Sequence, residues 1–157
     1  MYNTPIVPAD FVVPDELVTH RMKLRPLTIR DVDKDYEAVM SSSNRLRTIF
    51  DPTGDWPEGF TLEQNTIELG WHQVEFQLGT SFAYTVISLD ESRILGCMYI
   101  YPVTKSDYDV EVTMWVRESE SDTGLDDHLF ETVHGWISQS WPFKNPDFPG
   151  RKITWKT

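Results

Sequence analysis

Cysteine is nearly absent. Cys97 is the only one in 157 residues, so no disulfide framework holds the fold. It lies in an apolar stretch and reads as a small buried side chain. Long apolar runs are missing too. Nothing approaches the roughly 18 residues of a spanning helix. The first residues, with Pro5, Pro8, Asp10 and Pro14, lack the basic and apolar regions of a signal peptide. The chain therefore reads as cytoplasmic. Positive charge is scarce: 14 Lys and Arg face 25 Asp and Glu, for a net charge of −11. Nucleic acid and anionic membrane need a basic footprint, so both are excluded as expected partners. A cationic ligand is permitted. Between Arg47 and Arg93 there is no basic residue at all. His20, His72, His128 and His134 share no ligand spacing with Cys97, so no metal site is expected. There is no internal repeat.

What remains suits one soluble domain. Residues 1–16 read as an extended lead-in, and 17–157 as one folded unit. Arg21-Met22-Lys23-Leu24-Arg25 alternates basic and apolar, as a half-buried strand does, and Pro26 ends it. Thr28 and Asp31 have capping-box spacing. Ile29, Val32, Tyr36, Val39 and Met40 then mark a helical face through about Ser42. Residues 50–60 carry prolines and glycines and read as a loop, both acidic and aromatic. Thr61 and Gln64 make a second capping pair. Ile67, Trp71, Val74 and Leu78 follow at helical spacing, and Gly79 reads as the C-cap. Phe82–Leu89 and Ile94–Tyr101 read as a hairpin turned at Asp90-Glu91-Ser92. In Asp109–Val116 apolar residues alternate. A helix follows from about Leu125 to Ser140, with Leu125, Leu129, Val133, Trp136 and Ile137 on one side, stopped by Pro142. Residues 144–150 read as loop, and Arg151 to Trp155 as a last short strand. Adjacent strands with helices around them give an α+β class.

Several patterns resemble the GNAT superfamily of acetyl-CoA-dependent N-acetyltransferases. Leu17–Leu27 followed by Asp31 is similar to the opening of the branch acting on ribosomal-protein N-termini. Ile94-Leu95-Gly96 resembles the family's third strand, and Val110–Val116 its fourth. The resemblance implies a GNAT-like mixed, mostly antiparallel sheet flanked by helices, here apparently without the family's C-terminal helix and strand pair. A sheet without those strands leaves an open edge that a second copy can pair with, as a homodimer.

The family's pyrophosphate signature is V-x-P-x-x-[Q/R]-x-x-G-x-[G/A]. With Val116 on the first position, Gly124 meets the first glycine without a gap. The proline position holds Glu118, the Gln/Arg position Ser121, and the last small position Asp126. Spacing survives while most of the chemistry does not. By this resemblance Met114, Val116, Ser121, Thr123, Gly124 and Leu125 are the candidate acetyl-CoA residues. Glu111 is the candidate base, with Tyr101 and Tyr108 as stand-ins for the acid that protonates the leaving thiolate. Asp55, Trp56 and Glu58 lie where the family shapes its acceptor site, and suit a cationic amine or a peptide N-terminus.

Two functions follow. One is an N-acetyltransferase using acetyl-CoA. The other is a GNAT-fold protein that has lost acetyl-CoA and serves as a binding or assembly module. The family resemblance, the motif in register and Glu111 favour the first; Glu118, Glu120, Asp122, Asp126 and Asp127 favour the second. A helix end offers an anion about 0.3–1 kcal/mol. One like charge about 4 Å away costs roughly 4 kcal/mol at an effective dielectric near 20. Thr123 and Asp126 also have the spacing to cap the helix themselves.

Overall fold

A computed structural model describes residues 1–103 and 107–151. Six strands pair in chain order: β1 (Leu17–Val18), β2 (Lys23–Pro26), β3 (Phe82–Ile87), β4 (Ile94–Tyr101), β5 (Val110–Val116) and β6 (Pro146–Asp147). All neighbours are antiparallel except β5 and β6, which are parallel. The helices are α1 (Val32–Ser41), α2 (Ser43–Phe50), α3 (Leu62–Leu78) and α4 (Leu125–Ser140). This is the α+β class that the order of elements implies, and the mostly antiparallel sheet that the resemblance implies.

Alternation on the strands sorts side chains to two cores. On one face Val110, Val112, Met114 and Val116 meet Leu125, Leu129, Val133, Trp136 and Ile137 of α4. On the other, Cys97 and Trp115 meet Ala38 and Val39 of α1, Leu46 of α2 and Leu69 of α3. The N-terminal segment packs against the domain. Ile6, Val7, Phe11 and Val13 pack on the α4-side core, and the Tyr84 hydroxyl donates to the Pro14 carbonyl at 2.6 Å.

The caps of α3 form as their spacing predicts. Thr61 accepts from the Gln64 amide at 3.1 Å, and Gly79 closes α3 at φ 73°. Two expectations change. Helix α2 occupies residues that carry no clear period; only Leu46 among them is buried. Within the stretch expected to be loop, Pro146 and Asp147 form β6. The last strand expected at 151–155 lies outside the described residues beyond Arg151. No helix among the described residues is long and apolar enough to cross a membrane.

One carboxyl is buried under this fold. Asp35 on α1 is 4% exposed and accepts from the Asn65 side-chain amide at 3.0 Å. Burial pushes its carboxyl up to about 6; Asp31 and Glu68 add to the rise, and Asn65 offsets part of it. A raised folded-state value means the unfolded chain ionises first, so this group's contribution is lost as pH rises from about 4 to about 6. His72 works against it. Its burial lowers the imidazole to about 4, which costs stability as pH falls below 6.5. Asp35→Asn isolates the first effect. Its stability relative to the parent should improve by about 2–3 kcal/mol between about pH 4 and about pH 8. Urea unfolding at both pH values measures this, and an unchanged difference would contradict it.

Candidate functional site

Strand β6 pairs with β5 only through Val110 with Pro146 and Glu111 with Asp147. Beyond Glu111 the outer edge of β5 pairs with no described strand. A cleft of about 890 Å³ opens there, between that edge, Arg45 and Thr48 of α2, Asp126 of α4, and Gly150 and Arg151. Met114 lines it, while Val116 is fully buried in the core. The cleft leads toward the loop that joins β5 to α4.

That loop is tied inward. Arg117 is 6% exposed and grips α1. Its guanidinium makes a forked pair with the Glu37 carboxylate at 2.9 and 2.5 Å, and also donates to the Ile94 carbonyl at 3.0 Å. The Arg117 guanidinium in turn holds the Glu37 carboxyl below the usual range. The Glu118 amide donates to the Ser42 hydroxyl at 2.9 Å. A 3₁₀ turn over Glu118–Glu120 then takes up the next donors. Glu120 N–H bonds the Arg117 carbonyl at 2.9 Å, Ser121 N–H bonds Glu118 at 3.0 Å, and Thr123 N–H bonds Glu120 at 3.3 Å. An anion cradle needs such donors free. Here five of them, counting Leu125 N–H to the Thr123 hydroxyl at 3.4 Å, are engaged by acceptors of the protein itself.

The other candidate cofactor residues divide. Ser121, Thr123 and Gly124 are exposed, and Leu125 is buried in the α4-side core. The expected Thr123–Asp126 capping box does not form. Gly124, at φ 79°, is the N-cap, and no side chain caps the helix. The Thr123 hydroxyl donates instead to Glu120. Nor is Asp126 an unpaired carboxylate aimed at a phosphate. Arg151 pairs with it at 2.6 and 2.9 Å, and Arg45 approaches to 3.7 Å. Arg151 also donates to the Met114 carbonyl at 3.4 Å, so it bridges the open edge of β5 and the start of α4. The lining charges are Arg45 and Arg151 against Glu111, Glu118 and Asp126.

The candidate catalytic residues separate as well. Glu111 and Tyr101 are direct cross-strand partners on β5 and β4. Burial pushes the Tyr101 phenol up, with nearby anions adding, so it keeps its proton near neutrality. Tyr108 is 37% exposed and lines a different cavity, with Asn145 and Phe148.

On the α3 side of the sheet a second cavity, of about 360 Å³, holds Trp56. Asp55 and Glu58 do not line it. Both are exposed, and Glu58 sits 3.7 Å from Arg47. The acids that do reach it are Asp51 and Glu68, with Phe50, His72, Tyr99 and Tyr101 completing the wall. Tyr99 and Tyr101 could be paired from the β4 alternation, and Glu68 and His72 from their helical spacing. No sequence signal says that these two faces meet.

No family model matches the sequence, and no curated protein matches it. Solved structures do resemble the fold. A protein from Vibrio cholerae described as a ribosomal-protein-serine acetyltransferase superposes with a TM-score of 0.70 at 12% identity, over 89% of this chain and 78% of that one. The ribosomal L7/L12 α-N-protein acetyltransferase RimL, in complex with coenzyme A, gives 0.63 at 15% identity, over 78% and 67%. The microcin C7 self-immunity acetyltransferase MccE, in complex with acetyl-CoA and AMP, gives 0.60 at 11%, over 82% and 70%. These superpositions show a shared GNAT-like fold.

Proposed function

We propose that this chain is a GNAT-fold binding module whose acetyl-CoA loop has been closed by its own hydrogen bonds. The observation that supports this reading is the loop from Arg117 to Leu125, where five backbone donors are already engaged inside the protein. Two side-chain features agree with it. Arg151 is held by both Asp126 and the Met114 carbonyl, which occupies the edge of β5. Among the described residues, Glu111, Glu118 and Asp126 line the cleft with three negative charges against two positive ones. A pyrophosphate entering this site would displace existing ion pairs and meet uncompensated carboxylates.

A second reading is an N-acetyltransferase, favoured by the cleft volume beside Glu111 and by neighbours solved with coenzyme A or acetyl-CoA. In it, Glu111 takes the proton from an attacking amine, and Tyr101 or Tyr108 returns one to the leaving thiolate. Titration with acetyl-CoA separates the two, because a binding module needs no acyl donor.

A further inference from the structure

We infer that the cavity between β4, α3 and the loop after α2 is a binding site for a small methylated ammonium ion. The inference deepens the binding-module reading by naming its ligand, and it stands on the cavity rather than on the cleft.

The walls are aromatic and set at right angles. The Phe50 ring lies 6.4 Å from Trp56 at 84° and 6.5 Å from Tyr99 at 88°. Tyr99 stacks on Tyr101 at 5.5 Å, nearly parallel. Rings gathered at these angles around a cavity can turn more than one face to a cation and attract it through the ring quadrupoles. Tyr99 and Tyr101 stay uncharged, because burial pushes both phenols up. His72 is also neutral near pH 7, since burial lowers it to about 4. Its Nδ1 atom is buried without a hydrogen-bond partner. The formal charge on the wall therefore comes from Asp51 and Glu68. Among the described residues no lysine or arginine lines the cavity.

The same features select a methylated nitrogen over a primary one. A primary ammonium brings three donors that each need an acceptor. One oxygen of Asp51 is already engaged, since its Oδ2 accepts from the Trp56 amide at 3.1 Å. A methylated ammonium is weakly hydrated and presents apolar surface with a diffuse charge, which suits ring faces better. A quaternary nitrogen also has no lone pair and cannot accept an acyl group. Its recognition agrees with a fold that binds without transferring.

Choline and its uncharged carbon isostere, 3,3-dimethylbutan-1-ol, are the probes, titrated by calorimetry into the full chain. Choline should bind with one site, and the isostere at least about tenfold more weakly. Glu68→Gln, on an exposed position of α3, should weaken choline severalfold and leave the isostere unchanged. Trp56→Ala should abolish choline binding. Equal binding of the two probes would overturn the inference, because the cavity would then be merely apolar. No choline binding up to about 10 mM would overturn it as well. Acetyl-CoA binding, in contrast, would refute the closed loop without touching this site.

Discussion

Replacing Gly96 with alanine should destabilise the fold severely. Gly96 sits opposite Val116 on β5 and opposite Val86 on β3. A Cβ built at this position would stand 2.0 Å from the Trp115 carbonyl oxygen and 3.0 Å from the Val116 Cα. Both obstacles are backbone of β5, so no side-chain rotation relieves the contact. The two strands must part instead. Parting them breaks the ladder that ends in the Arg117 amide bond to the Leu95 carbonyl at 2.7 Å. It also lifts Trp115, which is 1% exposed, out of the core under α1. The expected loss is more than about 4 kcal/mol, against the roughly 5–15 kcal/mol that a domain has in total. Urea denaturation reads it directly. A change under about 1 kcal/mol would mean that β4 and β5 are less closely apposed than described.

The second large effect concerns the cleft. Ser121→Arg combined with Asp126→Gly should create measurable acetyl-CoA binding. Removing the Asp126 carboxylate releases Arg151 and Arg45 from their present ion pairs. It also takes one like charge away from an incoming pyrophosphate. The introduced guanidinium adds a side-chain donor that does not depend on the loop backbone. Together these should gain about 2–4 kcal/mol, since a hydrogen bond to a charged group contributes about 1.5–3. That is at least about tenfold in affinity. Glycine in the first turn of α4 costs roughly 1 kcal/mol of stability, which leaves the fold intact. Calorimetry with coenzyme A and acetyl-CoA measures the gain. If the double variant shows none, the engaged backbone of the loop is the whole barrier and its charges are incidental.

The reach of the sequence differs from element to element. Helix α4 was fully legible, because Leu125, Leu129, Val133, Trp136 and Ile137 repeat at 3.6 and are the residues that pack. In α3 the same period found the helix but not its inner face. Ile67, Trp71, Val74 and Leu78 are 40–61% exposed, while Asn65, Leu69 and Glu75 are buried. Polar groups can face inward there because each finds a partner: Asn65 reaches Asp35, and Glu75 accepts from the Tyr2 amide at 2.8 Å. Helix α2 left almost no signal, having one buried side chain. The candidate site was legible only where motif spacing carried it. Gly124 and Asp126 could be aligned to a loop pattern, but their neighbours could not. Arg45 and Arg151 come to Asp126 from opposite ends of the chain, and that meeting is set by tertiary packing. The aromatic cavity has the same origin, since Trp56, His72 and Tyr99 lie on three separate elements.

The closed loop is the central claim, and a thermal-shift titration of the unmodified chain with acetyl-CoA tests it most directly. A ligand present at about 100 times its dissociation constant adds about 2.7 kcal/mol to the folded state. With the amides of Glu118, Glu120, Ser121, Thr123 and Leu125 engaged internally, no shift should appear up to millimolar acetyl-CoA. A saturable rise in melting temperature, matched by coenzyme A and lost on blocking the cleft with Thr48→Trp, would contradict the account and return the chain to the acetyltransferases.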